Sequence, residues 1–376
     1  MYAGLPLSVA LSFIPFLPLW ILVWCVLLGL GFVGVALLIL GEAFSRWKGE
    51  PLPVVGIELG AQQLPALTAR VARLAERLNA RPPARIVIGL EPRAFVTSVP
   101  LALRGHGILP SAETLYLSTC FLRTLDEPQL DALIGHELAH FREGDLAVTL
   151  RFAPSFRGLA RTVESVALEV KPTERPGLWS LARLPASLLV QGVAFVLTQA
   201  VNRIRRTREL EADQVAASVG SRDAFASALV KVSLLSSSWK FFRTDNAKYL
   251  ASGRARVNLS ARYLRVVATA LSTTNRVELR QWLLKSRLPH PTDTHPILAE
   301  RIQALGVESA AVCDRSLEEL MPRTEPPEGL EAVERAVTAI ENDWMCIPGT
   351  PYVLDTAEDL PSQVPLGDVP PVEPGR

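Results

Sequence analysis

The run His136-Glu137-Leu138-Ala139-His140 constrains this chain more than any other, because the chemistry it encodes needs a helix. Two imidazoles four residues apart share one helical face, close enough to hold a single cation. The glutamate between them is offset, near enough to handle the proton of a metal-activated water. The flanking residues agree with a helix. Asp126 is an N-cap with Gln129 three residues later, Pro128 sits in the first turn, and Leu130, Leu133, Ile134, Leu138 and Phe141 form an apolar side. Gly144 is the expected stop.

A hydrolytic zinc site usually takes three protein ligands and keeps one position open. His136 and His140 supply two, and the third must come from elsewhere. Glu209-Leu210-Glu211-Ala212-Asp213 is the acidic cluster that fits. Glu209 is the preferred ligand, with Glu211 and Asp213 competing. Its helix is expected over about 203–219, with Gly220 as a C-terminal cap. Asp213 lies one turn beyond Glu209 and is a candidate to orient a ligating imidazole through its other ring nitrogen. Only five histidines occur, and His106 and His290 read as loop residues. His295, followed by a proline, is a helix-opening polar residue or a donor to the developing charge. The four cysteines form no CxxC pair, so thiolate zinc binding is not expected and a reducing compartment is. A net charge of +1 implies no nucleic-acid partner.

Residues 2–41 carry no charged side chain, and Leu19 to Leu40 is long enough for one membrane span. The absence of an N-terminal Lys or Arg and the length of the run argue against a cleaved signal peptide. Arg46 and Lys48 follow the span, so residues 42 onward are expected in the cytoplasm, at the inner face of the cell membrane. The lipid bilayer is then one partner. A second apolar run, 184–201, contains Gln191 and Gln199 and reads as a buried helix or one lying on the membrane.

The remaining chain reads as mainly α with a small β-sheet, an α+β class. A helix is expected over 64–80 and strands near Arg85–Ile88, Ala94–Val99 and Thr114–Thr119. Further helices are expected over 222–237, 258–286 and 296–305. The domain reading is an anchor over 1–41, a catalytic domain over 42–310 and a disordered tail over 311–376. Seven prolines between Pro348 and Pro374 support the last assignment.

Leu115–Thr119, Leu125–Leu130 leading into Ile134–His140, Arg208–Asp213, and Thr294-His295-Pro296 with Ala299–Ile302 together resemble the M48 zinc peptidases. That group includes the HtpX-like heat-shock membrane proteases, the CAAX prenyl proteases and the mitochondrial OMA protease. The resemblance covers about residues 82–305. It implies a zincin-like (gluzincin) domain with one Zn2+ held by His136, His140 and Glu209, and Glu137 as general base. An edge strand, Ala94–Val99 or Thr114–Thr119, would hold an extended protein or peptide substrate. The expected activity is that of a membrane-anchored zinc metalloendopeptidase. A metal-free scaffold or sensor, or a CAAX-processing enzyme, are the alternatives.

Overall fold

A computed structural model describes residues 51–60, 62–141, 178–286, 296–320, 326–346 and 352–355, with Val23 and Gly29 besides; between 178 and 201 only the side chains of 192, 195 and 199 are described. The expected anchor over 1–41, Val23 and Gly29 apart, His290, His295 and the stop at Gly144 lie outside these residues. Among the described residues no helix is long and apolar enough to cross a membrane. The chain divides into two compact units, residues 1–48 with 151–201, and residues 49–150 with 202–376. In the first, the backbone is helical from Leu178 onward, as part of a helix that ends at Val219. Gly192, Phe195 and Gln199 are exposed there, so at these positions the run 184–201 is not buried.

The second unit opens on two short strands, β1 (Leu52–Val54) and β2 (Gly56–Glu58). Helix α1 (Pro65–Arg77) follows, buried through Leu67, Val71 and Leu74 at helical spacing. Five strands come next: β3 (Arg85–Gly89), β4 (Ala94–Thr97), β5 (Leu101–Leu103), β6 (Gly107–Leu109) and β7 (Thr114–Ser118). They form a four-stranded sheet, β2-β3-β7-β4, and a three-stranded sheet, β1-β5-β6. In the larger sheet β3 and β7 run parallel, with antiparallel β2 and β4 outside them.

Period-two alternation sends side chains of β3 and β7 to opposite faces. Ile86, Ile88, Leu115 and Leu117 join the main helical core, while Val87 and Tyr116 join Phe95, Leu101 and Leu103 in a second cluster. Phe95 stacks on its cross-strand partner Tyr116, with ring centroids 4.8 Å apart. Gly89 makes room for that tyrosine. A Cβ there would lie 2.0 Å from the Tyr116 hydroxyl oxygen.

β7 leads directly into α2 (Thr119–Thr124) and then α3 (Glu127–Ala139), the helix carrying the two histidines. The helices that follow are α4 (Leu178–Val219), α5 (Arg222–Ala251), α6 (Leu259–Thr273), α7 (Arg276–Lys285), α8 (Leu298–Ala304), α9 (Ser309–Glu318) and α10 (Leu330–Met345). Two strands, β8 (Arg254–Arg256) and β9 (Val353–Asp355), pair in parallel. The described part is thus mainly helical with small sheets, the α+β class that the sequence indicates. The single helix expected over 258–286 is two, because Asn275 caps a new helix with its side chain on the Val277 N–H.

The tail expectation needs correction. A boundary at residue 310 would cut α9 one residue after its start, and α10 lies well inside the supposed disordered segment. Leu330, Val333 and Val337 recur at helical spacing and belong to the main core. Glu334 on the same face is fully buried and takes two hydrogen bonds from Arg123 of α2, at 2.8 and 2.5 Å. Asn258 adds a third at 2.8 Å. The proline-rich composition that suggested disorder is concentrated after this helix; residues 356–376 lie outside the described set.

Candidate metal centre

The helix that carries His136 and His140 starts as its sequence dictates. The Asp126 carboxylate accepts from the Gln129 N–H at 2.8 Å, and the Gln129 side chain accepts from the Asp126 N–H at 3.3 Å. This capping box satisfies two N–H groups at the head of α3. Gln129 also ties that end to α5, accepting from Lys231 at 3.0 Å and donating to Ser227 at 3.1 Å. The other end comes sooner than Gly144. α3 stops at Ala139, and His140 is the C-cap residue. His136 is therefore within the last turn and buried, and His140 closes the helix with its side chain partly open.

Two small residues let α4 come close enough to deliver its acid. Gly135 faces Val219 and Ala216, where a Cβ would sit 3.2 Å from Val219 Cγ2. Gly220 packs on the first turn of α3, where a Cβ would lie 2.6 Å from the Pro128 carbonyl oxygen. Gly220 is not among the residues with positive φ. It follows directly on the last residue of α4, and what it requires is close helix approach. Ala212 and Ala216 are buried along the same side of α4.

The consequence is a three-residue constellation. One donor atom from each of His136, His140 and Glu209 lies within 4.8 Å of the other two. Glu209 Oε2 is 3.5 Å from His136 Nε2, and Oε1 is 3.8 Å from His140 Nε2. The imidazole planes are perpendicular, with centroids 5.0 Å apart. Glu211 is exposed, which removes it as a rival ligand. Two nitrogens and a carboxylate oxygen are a donor set suited to zinc, which accepts both. Glu137, next to His136 on α3, is buried.

Asp213 stands behind this group. It is fully buried, and its Oδ1 is 3.0 Å from His136 Nδ1. That leaves Nε2 of the same ring on the Glu209 side. The next partner is Arg301 of α8, to which the sequence alone assigns no role. Its Nε donates to Asp213 Oδ2 at 2.9 Å and its Nη2 to Oδ1 at 2.5 Å. Burial would raise the Asp213 pKa, but the Arg301 charge and hydrogen bonds, with those of His136, hold it below the usual carboxylate range. Burial likewise works against a charged His136, yet hydrogen bonds to Asp213 and Glu209 outweigh it and bring its pKa to about 9. Both carboxylates thus favour positive charge at this spot, the electrostatics a divalent cation exploits. Phe225 at the start of α5 stacks on the His136 ring at 5.6 Å and fixes its plane. No spacing rule marks Phe225 or Arg301, since both sit in other elements and only the fold brings them here.

The model of peptidase family M48 matches residues 61–308, well over half of the chain. The chain belongs to peptidase family M48. Among curated relatives, an HtpX protease homologue of Archaeoglobus fulgidus is 28% identical over 186 residues, covering 48% of this chain and 50% of the relative. One from Acidiphilium cryptum is 31% identical over 170 residues, covering 45% and 56%. A third, from Pseudarthrobacter chlorophenolicus, is 28% identical over 228 residues, covering 56% and 74%. The chain thus spans only about half the length of the first two relatives. No solved structure matches it significantly. The M48 match ends within the loop before α9, so α10 and its buried glutamate lie beyond the family region.

Proposed function

We propose that this M48 protein is a zinc-dependent endopeptidase anchored in a membrane, with its active site in the cytoplasm. The observation that carries the catalytic part is the convergence of His136, His140 and Glu209 donor atoms within 4.8 Å. These three would hold the metal. A bound zinc ion supplies a Lewis acid and lowers the pKa of its water to about 7.

The chain's own groups do the rest. Glu137, one residue from a ligand and shielded from solvent, accepts the water proton and later returns it to the leaving amine. Asp213 keeps the proton of His136 on Nδ1, so that Nε2 presents its lone pair. Strand β4 offers a place for substrate. It is an outer strand of the four-stranded sheet and packs against α3, whereas β7 is flanked on both sides by β3 and β4. Of the two strands that the resemblance suggests, β4 is the outer one among the described residues, the position from which an extended peptide could pair with the sheet. The membrane assignment rests on the uncharged run 2–41 and the basic residues Arg46 and Lys48 after it.

Casein digestion by wild type and Glu137→Gln, each loaded with zinc, tests the catalytic reading. Digestion by wild type and none by the variant is the expected result. Equal digestion by the two would remove Glu137 from the mechanism, and none by either would favour a scaffold role.

A further inference from the structure

Arg301 and Asp213 are the most deeply buried charged pair near the metal residues, at 1% and 0% side-chain exposure. Removing two such charges from water costs several kcal/mol each, and an apolar pair of the same volume is often as stable. Fold stability alone is therefore a weak reason for the pair. Its geometry supplies another. Arg301 engages both oxygens of Asp213 through Nε and Nη2, which fixes the plane of the carboxylate. One of those oxygens, Oδ1, also meets His136 Nδ1 at 3.0 Å. The carboxylate cannot turn away from the imidazole without breaking the guanidinium fork.

We infer that Arg301 is a positioning residue for the metal site, acting through Asp213 to hold His136 in its ligating orientation. The inference rests on the zinc reading given above. It also makes the metal site depend on the docking of α8. That short helix is attached to α4 at two further points, Arg206 to Glu300 at 2.9 Å and Gln214 Nε2 to the Ala304 carbonyl at 2.9 Å. Arg301 lies between those contacts in sequence, so α8 reaches the ligand sphere by one side chain. Phe225 braces both partners, with the His136 ring at 5.6 Å and the Arg301 guanidinium carbon at 5.9 Å from its ring.

The test is zinc affinity of the full chain, measured by competition with a chromophoric chelator, together with melting of the metal-free protein. Wild type, Arg301→Met, Arg301→Lys, Asp213→Asn and the Arg301→Met/Asp213→Asn double variant are compared. Loss of a partner behind a ligand typically weakens metal binding about 10- to 100-fold. That loss is expected for Arg301→Met and for Asp213→Asn, with the double variant no weaker than Asp213→Asn alone. Arg301→Lys keeps the charge and most of the volume but not the fork, so it folds even where the methionine variant does not. Its zinc affinity is expected to fall about tenfold, within the same range. A zinc affinity within twofold of wild type for a folded arginine variant would overturn the inference, as would losses that multiply in the double variant. A fall in metal-free melting temperature with zinc affinity unchanged would mark a purely structural pair. A wild type that binds no zinc would overturn the zinc reading itself, a distinguishable result.

Discussion

At the scale of single residues, the parts of the site that sequence discloses are those set by spacing within one helix. His136, Glu137 and His140 are separated by three and four positions at most, and Asp126 with Gln129 announces where their helix begins. The capping box forms as its residues indicate, so Asp126→Ala should cost about 1 kcal/mol of stability, read by chemical denaturation. Glu209 carries less information in sequence, because three acids crowd five positions. The fold decides among them by turning Glu211 to solvent and placing Asp213 behind His136. Arg301 falls in the Ala299–Ile302 segment that carries the resemblance, yet nothing local assigns it a role. A buried arginine looks like any surface arginine until its partner, on a helix far away in sequence, is known. Glu137→Gln should retain zinc at the wild-type stoichiometry while losing peptidase activity, since on the proposed mechanism it removes a proton acceptor and none of the three ligands. Metal analysis beside the casein assay checks both halves.

At the scale of elements, the α3–α4 seam determines whether His136, His140 and Glu209 meet. Gly135 and Gly220 border it for the same reason, closeness, but what stands opposite differs. A methyl at 135 meets the end of a valine side chain at 3.2 Å, which can shift slightly. A methyl at 220 meets a backbone carbonyl oxygen at 2.6 Å, which cannot move without moving α3. Gly220→Ala should therefore destabilise the protein more than Gly135→Ala, by the 1–3 kcal/mol or so typical of overpacking. Comparing denaturation midpoints of the two variants measures this; a Gly220→Ala protein as stable as wild type would contradict the packing. The sequence marks Gly220 as the residue that closes α4, where the helix does end. Contact across the seam, which no local rule contains, is the actual demand. The outer position of β4 is likewise a property of strand order, and the resemblance leaves β4 and β7 as equal choices.

At the scale of the whole molecule, the core reaches past the family region into α10. Composition concealed this, because the prolines from 348 onward dominate the average over the tail. Their period, Leu330, Val333, Val337, is the signal that composition blurred. A chain ending at residue 310 should fail to fold stably, since it uncovers core surface and strands Arg123. Glu334→Ala should show the same fault in isolation, with a loss of about 3–5 kcal/mol, as expected when one member of a buried pair is removed. Thermal melting of both proteins checks this, and a truncated chain that melts like wild type would contradict the placement of α10. The claim on which the functional account stands is that one ion is held by side chains from two helices far apart in sequence. Elemental analysis of the purified full chain, with and without Glu209→Ala, measures it. The account predicts one zinc per wild-type chain and a large loss of zinc in the variant. Full zinc occupancy without the Glu209 carboxylate, or none with it, would contradict the account.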